Sequence, residues 1–230
     1  MQTRLFGKSS AFLDAWIREL TPAAAAAVVT TVATTTVSHT GAPHPAVKHH
    51  LAPPLKHSVE GDKSSSSMSK VHLQVGRVLS VKKHPESAKL FVEEIDIGEP
   101  SGPRTILSGL QEHITEVDFL NRLVIVVSNL EPRKIGGIFS AGMVLCASTS
   151  CKGKVELLTV PLDTPIGERV VFPGHDGPAE PVLKKKLAKH FEDVAPDLRT
   201  DENGVALFKA LPFVTSKGTV TSSINNGHIS

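Results

Sequence analysis

The chain has 230 residues, enough for one large domain or two small ones with a real core. Its 40% apolar and 21% charged residues are ordinary for a soluble protein, and no apolar run reaches the length of a membrane span. A net charge of +2 excludes a molecule-wide cationic field, so a surface for a polyanion has to be a local patch.

In chain order, Ala11 to Leu20 (AFLDAWIREL) sets Phe12, Leu13, Trp16, Ile17 and Leu20 on one helical face, and Pro22 limits its continuation. Residues 1–20 are expected to form a short docking helix. The alternative is a mitochondrial targeting segment built on Arg4, Lys8, Arg18, Ser9 and Ser10, against which Asp14 and Glu19 argue. Residues 21–70 are low in complexity and rich in Ala, Thr, Pro, His and Ser. They bury too little to offset their ordering entropy and are expected to be a disordered linker. His39, His44, His49, His50 and His57 are scattered through it, without the fixed geometry a metal needs.

From Val71 the pattern changes. VHLQVGRVLSV alternates as a strand does, His84-Pro85 breaks it, and LFVEEIDIG and RTILSGL follow as second and third strands. ITEVDFLN reads as a short helix capped by Thr115. RLVIVVSNL is apolar throughout, which indicates a strand buried on both faces. GIFSAGMVLCAS is a fifth strand, and VELLTV and ERVVF add short ones. Short strands with one helix between the third and fourth match an all-β OB-fold barrel at 71–173, although a β-sandwich would read similarly. Residues 174–230 read as a small α+β extension with a KKKLAKHFEDV helix. It is too small to fold well alone and is expected to pack on the barrel.

The barrel region's cations fall at strand ends and turns. Arg77 lies in the first strand, Lys82 and Lys83 end it, Lys89 opens the second, and Arg133 and Lys134 occupy a turn before the fifth. Cations spaced along a backbone suit phosphates, and Arg adds bidentate geometry. Asn129 and Ser140 offer hydrogen bonds to phosphate or ribose, and Met143 either lies against a base or fills the core. Residues 71–175 hold eleven Lys or Arg against twelve Asp or Glu, so a solvated surface accounts for most of these charges. The weight for RNA rests on the Pro132-Arg133-Lys134 and Lys82-Lys83-His84-Pro85 stretches. Gly136 and Gly137 serve a tight bend, a close approach of RNA backbone, or both.

Signals for catalysis are weaker. No P-loop, G-x-G-x-x-G or H-E-x-x-H occurs, and Ser108-Gly109 lacks the G-x-S-x-G elbow. Glu94 and Asp96 share a strand face and are read as solvated or salt-bridged before being read as metal ligands. Cys146 and Cys151 form no C-x-x-C pair and read as reduced thiols. Neither a cofactor nor enzymatic activity is expected.

The stretches VGRVLSVKKHPESAKLFVEEIDIGE, PRTILSGL, NRLVIVVSNLEPRKIGGIFSAGMVLCAS and APDLRT…LPF, in that order, resemble the tRNA-binding domain of the endothelial monocyte-activating polypeptide II family. The resemblance covers about two-thirds of the chain. It implies an OB-fold module that binds tRNA by shape and backbone, and association with aminoacyl-tRNA synthetases in the cytoplasm. It also implies a C-terminal extension that stands in for a second subunit and leaves the barrel monomeric. Carried over by position, it places Arg77, Asn129, Lys134, Ser140 and Met143 at the RNA. Glu131 and Gly136 stand where many relatives carry Lys and Arg, which implies weaker affinity. The resemblance also admits a protein-interaction scaffold or a cytokine-like fragment.

Overall fold

The computed structural model describes residues 66–151 and 153–230. The expected N-terminal helix, the targeting segment and the His tract lie outside the described residues. The expected linker ends too late, because residues 66–70 are ordered. The Ser66 hydroxyl caps helix α1 (Ser67–Lys70) by accepting from the Ser69 N–H, and Met68 is buried in the main core. Lys70 pairs with Glu180 at 3.5 Å.

The first large sheet runs β3 (Arg104–Ser108), β2 (Phe91–Asp96), β1 (Leu73–Lys83), β4 (Leu123–Val127), β7 (Met143–Val144), all neighbours antiparallel, with β10 (Arg169–Val170) also on β1. The sheet curls until its ends meet. The Ala141 N–H donates to the Thr105 carbonyl at 2.9 Å, and Arg104 reaches the Ser128 and Ala141 carbonyls while pairing with Glu99. The result is the nearly closed OB-fold barrel. Inward-facing Val78, Phe91, Ile95, Ile106, Val124 and Val126 fill it. Helix α2 (Glu116–Phe119) closes one end, with Thr115 as its cap and Phe119 fully buried 6.1 Å from the Phe91 ring. All five residues of β4 are buried, as its apolar run predicts.

The long fifth strand breaks into β6 (Ile138–Ser140), β7 and β8 (Cys146–Ser148). β8 leaves the barrel sheet and joins a second one, in the order β13 (Leu211–Pro212), β12 (Ala206–Phe208), β11 (Leu198–Thr200), β16 (His228–Ile229), β8, β9 (Val155–Leu157), while β14 (Val214–Thr215) and β15 (Gly218–Thr219) pair with each other. β16 sits beside β8, with Ser230 and Cys146 exchanging backbone hydrogen bonds at 2.9 and 3.0 Å. Between the barrel and this sheet lies the main core. Leu73, Val75, Ile125 and Val127 meet Leu198, Phe208 and Phe213 there, and Phe172 packs edge-on to Phe208 and Phe213. The expected KKKLAKHFEDV helix divides into a 3-10 turn (Lys185–Ala188) and helix α3 (Lys189–Val194).

Candidate nucleic-acid interface

Residues 133–140 build a two-stranded hairpin of β5 (Arg133–Ile135) and β6, with Ile135 opposite Ile138. Between them Gly136 and Gly137 have φ of 54° and 90°. A two-residue type I′ turn needs positive φ at both central positions, which glycine supplies without steric cost. The turn is therefore at the glycine pair, and Arg133 and Lys134, expected in a turn, lie in an extended strand. A Cβ on Gly136 would sit 2.6 Å from Nε2 of His84, so the hairpin tip rests on the His-Pro corner at the end of β1.

Alternation along the hairpin sorts its side chains. Ile135 packs with Leu90 and Leu107 over the outer face of β2 and β3. Ser140 is buried, accepts from the Leu107 N–H at 3.0 Å and donates to the Gly142 carbonyl at 3.1 Å. Lys134 and Phe139 face each other across the strands on the opposite, solvent-facing side, and both are exposed.

The remaining cations approach this hairpin along β1. Arg77 lies opposite Asp96, Ser80 opposite Glu94 and Lys82 opposite Val92, with a bulge after Val78. Arg77 and Lys82 therefore share one face, and it is the face the hairpin covers, since Val92 packs against the Leu90–Leu107–Ile135 cluster. The Arg77 guanidinium donates to the Asn121 carbonyl at 3.4 Å. Lys83 makes an exposed pair with Glu116 at 3.8 Å, which holds it weakly. Lys89 is half-buried, and Arg133 stands opposite Ser140. Among the described residues, Arg77, Lys82, Lys89 and Lys134 make no ion pair. On the same face, Glu94 accepts from the Thr105 hydroxyl and Asp96 from the Gly98 N–H, each at 2.8 Å. Among the described residues, no cluster of His, Cys, Asp and Glu could hold a metal.

Three expected contacts are not offered to a ligand. Asn129 is 3% exposed, and its amide is consumed internally. Nδ2 donates to the Lys70 and Glu180 carbonyls, both at 2.8 Å, and Oδ1 accepts from the His72 N–H at 3.0 Å. It ties β4 to the incoming chain and to the extension. Met143 belongs to the main core, and Ser140 is occupied as described.

Spacing alone does not single out Glu93. It faces the barrel interior, fully buried, with Ser108 donating to one carboxyl oxygen and no partner on the other. Burial pushes its pKa up to about 8 against the opposing Ser108 hydrogen bond. Burial, then the Glu93 and Glu156 carboxyls, push the nearby Cys146 thiol up to about 12. Cys146 is a buried free thiol and Cys151 an exposed one.

Residues 73–169 match the family model described as a putative tRNA binding domain. The chain is 44% identical over 164 residues to the cytoplasmic methionine–tRNA ligase of Arabidopsis thaliana, covering 71% of this chain and 20% of that protein. It is 40% identical over 158 residues to aminoacyl tRNA synthase complex-interacting multifunctional protein 1 of Cricetulus griseus, covering 68% of this chain and 43% of the relative. The chain thus spans less than half the length of either relative. Among solved structures, the C-terminal domain of Plasmodium vivax p43 superposes with a TM-score of 0.65 and 32% identity, covering 71% of this chain and 98% of that domain.

Proposed function

Since the chain belongs to the family of putative tRNA-binding domains that includes the p43 C-terminal domain, we propose that it is a non-catalytic module that holds tRNA by shape and backbone. The observation that carries this reading is the set of cations without ion pairs, Arg77, Lys82 and Lys134, gathered about one hairpin-covered barrel face. Lys89 and the weakly held Lys83 extend the set, and Arg133 lies beside Lys134 on β5. Such cations displace condensed counterions from a polyanion, and Arg77 adds a planar fork for a phosphate.

Backbone contacts fix position without reading sequence, so different tRNAs bind alike. The partners follow from the relatives, a methionine–tRNA ligase and a synthase complex-interacting protein. The chain retains tRNA near a cytoplasmic aminoacyl-tRNA synthetase and raises its local concentration there. The pairing of β16 with β8 occupies an edge that a second barrel would otherwise use, which supports a monomeric module.

Titrating the full chain with several unrelated tRNAs over a salt series tests the reading. Similar affinities are expected, with log K falling linearly against log salt by about 0.7–0.9 per phosphate contact. A flat plot would contradict it.

A further inference from the structure

We propose that Phe139 is a stacking platform for one unpaired nucleobase, with Lys134 taking the phosphate of the same or the adjoining nucleotide. This rests on the tRNA-binding reading and names a residue for it. Phe139 is 63% exposed, whereas Phe91, Phe119, Phe172, Phe191, Phe208 and Phe213 are each 2% exposed or less. Among the described residues it is the one phenylalanine that folding leaves in water. Val117 and Leu162 are more exposed still, so exposure by itself marks no site; what sets Phe139 apart is a ring held directly opposite an exposed lysine.

The platform is rigid. The type I′ turn fixes the two strands, Ile135 and Ser140 pin the inner face to β2 and β3, and Phe139 projects from the outer face of the same short hairpin. Little ordering remains when a base arrives. Directly opposed residues of an antiparallel pair have Cβ atoms about 5 Å apart, so the Lys134 ammonium has the reach to meet a phosphate while a base covers the ring. A base on an aromatic face beside a cation is the recurring unit of single-strand recognition. The neighbouring charge selects the occupant. Lys134 and Lys82 attend this hairpin without ion pairs, which suits a nucleotide better than an apolar peptide.

The test compares full-length Phe139→Ala, Phe139→Leu and Phe139→Trp chains on two probes, a tRNA and a blunt, fully paired RNA duplex. Thermal unfolding should hardly change for an exposed ring. Phe139→Ala and Phe139→Leu are expected to weaken tRNA binding about 5- to 100-fold with the salt slope unchanged. Phe139→Trp should restore it, and none of the three should alter duplex affinity. Wild-type affinity for tRNA in Phe139→Ala would overturn the platform and leave the cationic surface standing. An equal loss on the duplex would also overturn it, since no base is available there to stack. Failure of the wild-type chain to bind any tRNA would overturn both readings and favour a protein partner on the ring.

Discussion

Glu93 places a carboxyl inside the barrel, and its pH dependence has a definite sign. Folding raises its pKa from an ordinary 4.5 to about 8. Between these values the folded state keeps a proton that the unfolded state has lost. Stability therefore falls as pH rises from about 4.5 to about 8, by at most about 1.4 kcal/mol per pH unit, and levels off above. Glu93→Gln should flatten the profile and raise the urea midpoint relative to wild type at pH 8 to 9. Glu156 has the opposite sign. Burial alone would raise its pKa, but the Ser222 and Ser223 hydroxyls, the Ser223 N–H and Lys154 outweigh it and bring the carboxyl down to about 2. Its anchoring of the 222–223 turn is present above pH 4.5 and is lost as pH falls toward 2. Two further residues separate binding from folding. Lys134→Ala should lower the tRNA salt slope by about 0.7–0.9 with little change in stability. Asn129→Ala should cost about 1–3 kcal/mol in denaturant unfolding, by orphaning the groups its amide satisfies, and leave the slope intact.

At the scale of elements, strands with a regular burial pattern of their own were legible. Alternation in β1 and β2 and the unbroken apolar run of β4 follow directly from which faces are buried. The hairpin was harder, because Ile138–Phe139–Ser140 reads on into Met143–Val144 as one apolar run. What divides it is the closure onto β3, through the Ser140 hydroxyl and the Ala141 N–H, and those partners lie some thirty-five residues away. The place of Asn129 is hidden from the sequence for a similar reason. Its polarity suggested a ligand, whereas its burial depends on Lys70 and Glu180 arriving from distant segments. The cationic corner was legible as residue types but not as a surface, since the face shared by Arg77 and Lys82 depends on the bulge in β1. The turn itself is testable. Alanine at Gly137 meets nothing within 4 Å and costs only its positive φ, about 1–2 kcal/mol. Alanine at Gly136 bears a similar φ cost and also strikes His84. Thermal unfolding should rank wild type above Gly137→Ala above Gly136→Ala.

For the whole molecule, the main core is shared between the barrel's outer face and the C-terminal sheet, and β16 occupies the edge of β8. Ending the chain at residue 173 would uncover Leu73, Val75, Ile125 and Val127 and leave that edge unpaired. Sedimentation should show such a chain dimerising or aggregating at lower concentrations than the full chain. The account's central claim concerns where tRNA lands. Lysine-modification footprinting of the full chain, with and without saturating tRNA, tests it most directly. The account predicts protection of Lys82, Lys89 and Lys134, while Lys154 and Lys209, exposed on other parts of the molecule, react as before. Protection of Lys154 or Lys209 with Lys82 and Lys134 still reactive would place the RNA elsewhere and contradict it.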